Sequence, residues 1–452
     1  SEMCIRDRYY CLLLTLCYNL NKDVFLKLSE PITIMLSGSK EKEMQKSSGS
    51  NNQDVKQKNR MLVLKLITVN KGISRVDIAK MTGLSKMTVG NIVTELIEQG
   101  IVTEKALPNS PLIQNSTGNY GRKPIMLTLS PDSPCICGML IKRELCQIVL
   151  GDLSGFIFEQ ITYEYSTLQD GDALIEMLIR GFHILMARTE RSVLAISIAS
   201  LGPLNSSDGI ILNPPYFYGI ENFPITSVIQ KLTGLPTFLV NDANAGALAE
   251  KLYGIGKDIP NFTYLHIMNG IGTGLVLKDS LYNGDTGQSG EIGHTSINFA
   301  GPQCACGNKG CLDLYANVDN MRQKIRELSP FYPDSPLVSV SHPTWCDIVD
   351  CANKKDNLAI IAIEEFCSYV SYALINTLNL LNIATLIVGY DSSLDGFIIE
   401  DIIKNKLSRT LLSANYDKIT VIHSRFNGDA PLIGSIAFIA DKVFSHNLPL
   451  SR

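Results

Sequence analysis

The sequence lacks a dominant charge: 40 Lys and Arg stand against 44 Asp and Glu, a net −4 over 452 residues. The molecule as a whole is therefore not a polycation. It also lacks a convincing membrane or export segment. The apolar run Tyr9–Leu20 follows Arg6 and Arg8, but it is too short to cross a bilayer and no small-residue cleavage site follows it. Cysteine is plentiful, at twelve, yet a disulfide framework is missing. Cys135, Cys137, Cys146 and Cys367 are scattered singly in apolar stretches, where a cysteine behaves as a small buried hydrophobe. A composition of 45% hydrophobic and 19% charged residues is that of a soluble globular protein.

The length exceeds what one compact core serves, so two or three domains are expected. Residues before Met35 or Met44 read as a non-native or poorly ordered tail, and Glu41–Lys58 as a polar, disordered arm. The extension 1–54 is assigned no function. Charge is unevenly spread beyond it. From Val55 to Ser130 eleven Lys and Arg face four Asp and Glu, a balance of +7 that leaves −11 for the rest. A basic module on an acidic body points to a polyanion, commonly nucleic acid; a solvated basic surface is the alternative.

Within residues 55–130 helical periodicity starts near Asn59, with Met61, Leu62, Leu64 and Leu66 as an apolar stripe. Ser74-Arg75-Val76-Asp77 reads as a capping box, Ile78, Ala79 and Met81 as an inward face, and Gly83 as a left-handed turn. Ser85 caps a second helix whose Val89, Ile92, Val93, Leu96 and Ile97 form one amphipathic face, and Gly100 ends it. Two short helices around a glycine turn make a helix-turn-helix. Its outward Ser85, Lys86, Met87, Thr88 and Asn91 are placed to reach a major groove. Asn suits adenine and the Thr methyl suits thymine, while Arg75, Lys80 and Lys86 suit phosphates. Ile101–Thr103 and the alternating Ile125, Leu127 and Leu129 read as strands. Between them a loop closing in Gly121-Arg122-Lys123-Pro124 resembles a wing, with Arg122 and Lys123 at its tip. A helical hairpin used for dimerisation is the competing explanation.

Residues 131–452 alternate β-rich runs (Cys146–Leu150, Leu194–Ile198, Thr237–Val240, Thr263–Met268, Gly274–Leu277, Thr385–Val388) with long helices at Asp170–Arg188 and Leu358–Leu381. That alternation implies α/β layers. Three motifs carry chemistry. Asn241-Asp242-Ala243-Asn244 follows a strand, where a carboxylate can serve as a base toward a sugar hydroxyl or an Asx turn can cap a helix. Gly270-Ile271-Gly272-Thr273-Gly274 lets backbone amides approach a ligand or simply forms a tight turn. Glu291-Ile292-Gly293-His294 precedes Cys304-Ala305-Cys306-Gly307-Asn308-Lys309-Gly310-Cys311. His294, Cys304, Cys306 and Cys311 complete a closed Cys₃His shell, so zinc bound there is structural rather than catalytic. A chance cluster of buried cysteines is the alternative.

These motifs, in this order behind a helix-turn-helix, resemble the ROK family (repressor, open reading frame, kinase), and Ser74–Val89 resembles its repressor branch. The resemblance covers about residues 55–450. It implies an α/β, actin/hexokinase-like two-lobed fold behind a winged helix-turn-helix: lobe 1 about 131–243 with the C-terminal helix 431–450, lobe 2 about 244–430 with the zinc knuckle 294–311. It also implies zinc held by His294, Cys304, Cys306 and Cys311, sugar hydroxyls hydrogen-bonded by Glu291 and His294, and Asp242 at the position of the kinases' catalytic base; Asn241 and Gly272 of the neighbouring motifs join them as candidate sugar-binding residues.

Departures from the kinase pattern shape the functional expectation. Family kinases run into Asp-x-Gly-Gly-Thr around ATP; here Leu140 replaces the aspartate, and Lys142 and Arg143 replace glycines. Near the adenosine a Gly-Gly pair becomes Gly389-Tyr390. The glucose-contacting loop becomes Pro214-Pro215-Tyr216-Phe217-Tyr218-Gly219, where Tyr216 could stack on a sugar. Phosphoryl transfer without metal positioning or phosphate room is lost. The expected function is a cytoplasmic, sugar-responsive transcriptional regulator, a repressor of carbohydrate genes that senses a sugar or phosphosugar without catalysis. Operator DNA, the effector and a second copy of the chain, in a homodimer or homotetramer, are its expected partners. The rivals are an ATP-dependent, glucokinase-like sugar kinase with a DNA-binding arm, and a zinc-dependent scaffold for a protein partner.

Overall fold

The computed structural model describes residues 52–450 apart from 71, 107–124, 169, 216, 269, 395 and 413–418. The extension up to residue 51, the wing-tip residues Arg122 and Lys123, and Tyr216 lie outside the described residues.

Helix α1 (Asn52–Val69) starts earlier than its apolar stripe, and α2 (Arg75–Thr82) and α3 (Lys86–Glu98) follow. The caps act as their residue types require. Ser74 Oγ accepts the Asp77 N–H at 3.2 Å and Ser85 Oγ the Thr88 N–H at 3.0 Å. Gly83 closes α2 at φ 70°, a left-handed conformation that suits glycine. Two expectations of burial are corrected. Met81 is 62% exposed, because the two-turn helix fully buries Ile78 alone, and Leu62 lies outside the α1 stripe at 41% exposure. Strands β1 (Val102–Ala106) and β2 (Ile125–Leu129) pair antiparallel, and Ile73 bridges to Leu127 beside them.

The body holds two five-stranded sheets of one plan. The first comprises β3 (Cys135–Ile141), β4 (Leu145–Gly151), β5 (Ile157–Glu164) and, after α4 (Gly171–Met186), β6 (Val193–Ser200). A small hairpin of β7 (Leu204–Asn205) and β8 (Ile210–Ile211) and helix α5 (Ile225–Thr233) precede its last strand, β9 (Thr237–Asn241). Its order is β5-β4-β3-β6-β9: an antiparallel meander on one side, parallel crossovers on the other. Helix α6 (Asp242–Tyr253) leads to β10 (Phe262–Ile267), β11 (Ile271–Leu277) and β12 (Ser280–Leu281). Helices α7 (Val318–Leu328), α8 (Trp345–Asn353) and α9 (Asn357–Leu381) come before β13 (Thr385–Gly389), α10 (Ile398–Thr410), β14 (Thr420–His423) and α11 (Ala430–Phe444). The second sheet runs β12-β11-β10-β13-β14, again antiparallel then parallel. Strands flanked by helices are buried on both faces, and all of β6 and β10 is apolar or sequestered accordingly.

Helix α9 is long and apolar enough to cross a membrane, yet its Leu358, Phe366, Val370, Leu374 and Leu378 lie in the core of the second lobe. Between the sheets, α6 is buried from Ala243 to Leu252 and packs along α11. The two backbones touch: a Cβ on Gly434 would stand 2.0 Å from the Ala245 carbonyl oxygen. Met61, Leu64 and Ile67 of α1 share one apolar cluster with Ile439, Val443 and Phe444 of α11. The DNA-reading segment is thereby built into the core of the first lobe rather than tethered to it.

Candidate functional site

The site forms where β9 passes into α6, between the sheets. Asn241 caps the helix, its Oδ1 accepting the Ala243 N–H at 2.9 Å and the Asn244 N–H at 3.2 Å. The capping explanation of this asparagine therefore holds, and its Nδ2 lies beside Gly202. A Cβ on Gly202 would stand 3.0 Å from Glu291 Oε1 and 3.4 Å from Asn241 Nδ2, so the glycine leaves a notch into which both polar groups reach. Asp242 opens α6 and accepts the Ala243 N–H at 2.7 Å. Burial pushes its carboxyl up to about 6, against the pull of that hydrogen bond and of the Lys142 and Arg143 cations. Glu291 is pushed up to about 7 by burial and by the charges of Asp242 and Asp313.

The glycine motif has a packing role. A Cβ on Gly274 would lie 2.5 Å from the Ala243 carbonyl oxygen, and one on Gly272 3.0 Å from the Ala243 Cβ. These glycines let α6 press onto β11, which holds Asp242 in place. Opposite Gly272, His266 is 4% exposed, its Nδ1 has no hydrogen-bond partner among the described residues, and burial lowers its pKa to about 3. Sequence reasoning missed His266, since a lone histidine ending an apolar strand gives no pattern.

The turn between β3 and β4 brings Lys142 and Arg143 toward these acids. Tyr165 donates its hydroxyl to the Lys142 carbonyl at 2.6 Å, and Tyr218 donates to the Arg143 carbonyl at 3.0 Å. Phe217 is buried and Tyr218 latches this turn, so the aromatic loop clamps the turn. Lys142 also acts on Asp391, countering the burial that raises that carboxyl. Beyond Asp391, Tyr390 is fully buried and donates to Glu400 Oε2 at 2.9 Å. Glu400 Oε1 meets His423 Nδ1 at 2.7 Å, and the Trp345 and His423 rings pack edge-on against the phenol.

The knuckle lies next to this site. Ligand atoms of His294, Cys304, Cys306 and Cys311 all fall within 4.8 Å of one another. Cys304 Sγ is 3.8 Å from His294 Nδ1 and Cys306 Sγ 3.6 Å from Cys311 Sγ. A tetrahedron with metal–sulfur bonds of about 2.3 Å has edges of about 3.8 Å, so the donor set and spacing fit a metal ion. Asp313 joins knuckle to site: its Oδ1 accepts the Ile271 N–H at 3.3 Å and lies against Gly293.

On the DNA-reading face Lys86, Met87 and Asn91 are exposed, Met87 at 77%. Ser85 and Thr88 are engaged with each other at 2.8 Å in the cap. Arg75 is held in an ion pair with Glu104 of β1 rather than extended alone.

Comparison with known proteins agrees with this architecture. Residues 143–442 match the ROK family and residues 56–103 a winged helix-turn-helix DNA-binding domain. The xylose repressor of Caldicellulosiruptor bescii is 30% identical over 400 residues, covering 86% of this chain and 97% of that protein. The crystal structure of a ROK family transcriptional regulator, a homolog of the E. coli MLC protein, has a TM-score of 0.69 at 29% identity, covering 86% of this chain and 97% of that one. A ROK family glucokinase from Streptomyces griseus, crystallised with glucose and AMPPNP, shares the fold of the body: TM-score 0.60, 21% identity, 67% of this chain and 98% of that one. The chain belongs to the ROK family, with a winged helix-turn-helix ahead of a hexokinase-like body.

Proposed function

We propose that this chain is a sugar-responsive repressor whose kinase-like body binds its effector without phosphorylating it. One juxtaposition supports the reading: Asn241 and Glu291 converge on Gly202 beside Asp242, while Lys142 and Arg143 stand toward Asp242 and Tyr390 is bonded to Glu400, at sequence positions where the family's kinases are expected to carry nucleotide-contacting glycines. Asp242 and Glu291 can pair with sugar hydroxyls whether protonated or ionised, whereas a phosphate would be set against them when they ionise, which favours an uncharged sugar over a phosphosugar. Xylose is the first candidate, from the related xylose repressor. Zinc held by His294, Cys304, Cys306 and Cys311 would fix the knuckle and leave the second His294 nitrogen for the sugar. Arg75, Ser85, Lys86, Met87, Thr88, Asn91 and the wing residues Arg122 and Lys123 would meet operator DNA. Two copies would present two such helices to a palindromic site, in a cytoplasmic dimer or tetramer.

The test is selection of bound fragments from genomic DNA, followed by titration of the best fragment with and without xylose, glucose and N-acetylglucosamine. The expected outcome is release by an unphosphorylated sugar, with no ADP formed in a coupled assay. Sugar phosphate produced from ATP, and abolished by Asp242→Asn, would establish the kinase instead.

A further inference from the structure

Asn70 closes α1 and uses both ends of its carboxamide. Nδ2 donates back to the Leu66 carbonyl at 2.8 Å, and Oδ1 accepts from Lys257 Nζ at 2.6 Å. Its position in the chain gives that second bond its interest. Behind Asn70, α1 packs on α11 of the body, in an apolar cluster that continues into Ile78 of α2 and Val89, Ile92 and Leu96 of α3. Ahead of it the chain enters the Ile73–Leu127 bridge and then α2 and α3. Lys257 thus reaches from the body to the point where α1 passes into the helix-turn-helix.

The loop that carries Lys257 is itself wound on a buried ammonium. Lys251 is 7% exposed and its Nζ donates to the carbonyls of Gly256 (3.3 Å), Lys257 (3.0 Å) and Ile259 (3.0 Å) and to Asp279 Oδ1 (2.6 Å). Moving that loop alone would strip a buried charge of its acceptors, which is costly. Lys251 stands on the last turn of α6, whose first residue is Asp242, about 14 Å away along the helix axis. Its neighbour Glu250 accepts from Ser424 Oγ at 2.6 Å and the Arg425 N–H at 2.8 Å, tying the same turn to the second lobe.

We propose that Lys257 is a positioning residue for operator recognition, setting the pose of α2 and α3 through Asn70. A shift of α6 against the lobes when a sugar engages Asp242 moves this grip through Lys251. Only that second step rests on the sugar-responsive reading.

The test is a double-mutant cycle on the full chain, reading affinity for the selected DNA fragment with and without xylose. Lys257→Ala and Asn70→Ala are each expected to change sugar-free affinity about three- to tenfold, the scale of one hydrogen bond's net contribution. The double variant should go no further than the larger single, and Lys257→Arg should restore the wild-type value. Xylose binding by calorimetry should stay within about twofold in Lys257→Ala, while the ratio of DNA affinities with and without xylose contracts. Silent or additive single variants would overturn the positioning role. A full ratio in Lys257→Ala would overturn the α6 step while leaving sugar sensing intact. A wild-type chain deaf to xylose, glucose and N-acetylglucosamine would sink sugar sensing and the α6 step together, and the sugar-free cycle would still decide the role of Lys257.

Discussion

The Tyr390 hydroxyl donates to the Glu400 carboxylate at 2.9 Å from a side chain with no exposed surface. Glu400 in turn holds His423, whose charged form this partner favours strongly enough to outweigh the opposing effect of burial. A nucleotide entering here would have to break a satisfied buried network. Tyr390→Phe removes one donor from Glu400 and is expected to cost about 1–2 kcal/mol of stability. Tyr390→Ala also leaves a ring-sized void and should cost about 3–5 kcal/mol. Urea unfolding checks both values. ATP–magnesium should give no heat of binding with the wild-type chain, and a tight site would refute this account of Tyr390.

Much of this region was open to sequence reasoning, and the limits have physical causes. Local chemistry is written in neighbouring residues, so the Ser74 and Ser85 caps, the Gly83 turn and the Cys304–Cys311 knuckle are legible in the sequence. Contacts across many residues leave no such trace. Nothing near Tyr390 announces Glu400, nor does Asn70 point to Lys257. Burial on a short helix is equally hard to read: Met81 has the right spacing to be internal, but two turns of helix cover only Ile78. Lys142 and Arg143 are legible in the sequence as cations, whereas the action of both on Asp242 and of Lys142 on Asp391 comes from sheet order.

Acidity at the sugar side gives a second prediction. Folded-state values of about 6 for Asp242 and 7 for Glu291 lie above the ordinary ones. The stability these groups contribute is therefore whole below about pH 4 and is lost as pH rises through 6 and 7. A sugar hydroxyl donating to the ionised forms works the other way. Xylose affinity should rise across that window with release of protons, seen as calorimetric heats that vary with buffer. Asp242→Asn and Glu291→Gln should each flatten the profile.

Zinc removal is expected to act on both the knuckle and the sugar. Cys306 is the exposed member of the four-ligand set, so Cys306→Ser changes little packing of its own. The purified chain should carry one zinc ion by mass spectrometry, and this variant should carry less. Because Asp313 ties the knuckle to Ile271, loss of metal should also weaken xylose binding and lower the unfolding midpoint. A variant that loses zinc yet binds xylose with unchanged affinity would separate knuckle from sugar.

The DNA-reading face separates into residues with different expected effects. Asn91→Ala should cost about 1–3 kcal/mol and relax preference at one base pair, whereas Lys86→Ala should weaken all sequences alike and reduce the salt slope by about 1. Arg75 gives the sharper test, because its guanidinium is shared with Glu104. Removing the carboxylate by Glu104→Ala frees a cation beside the wing and removes a charge that repels phosphate. Affinity for operator and scrambled DNA should both rise at low salt, and the gain should fade as salt screens it. If Arg75 only braces α2 against β1, the same substitution loosens the wing, and binding falls at every salt concentration in a fluorescence anisotropy titration.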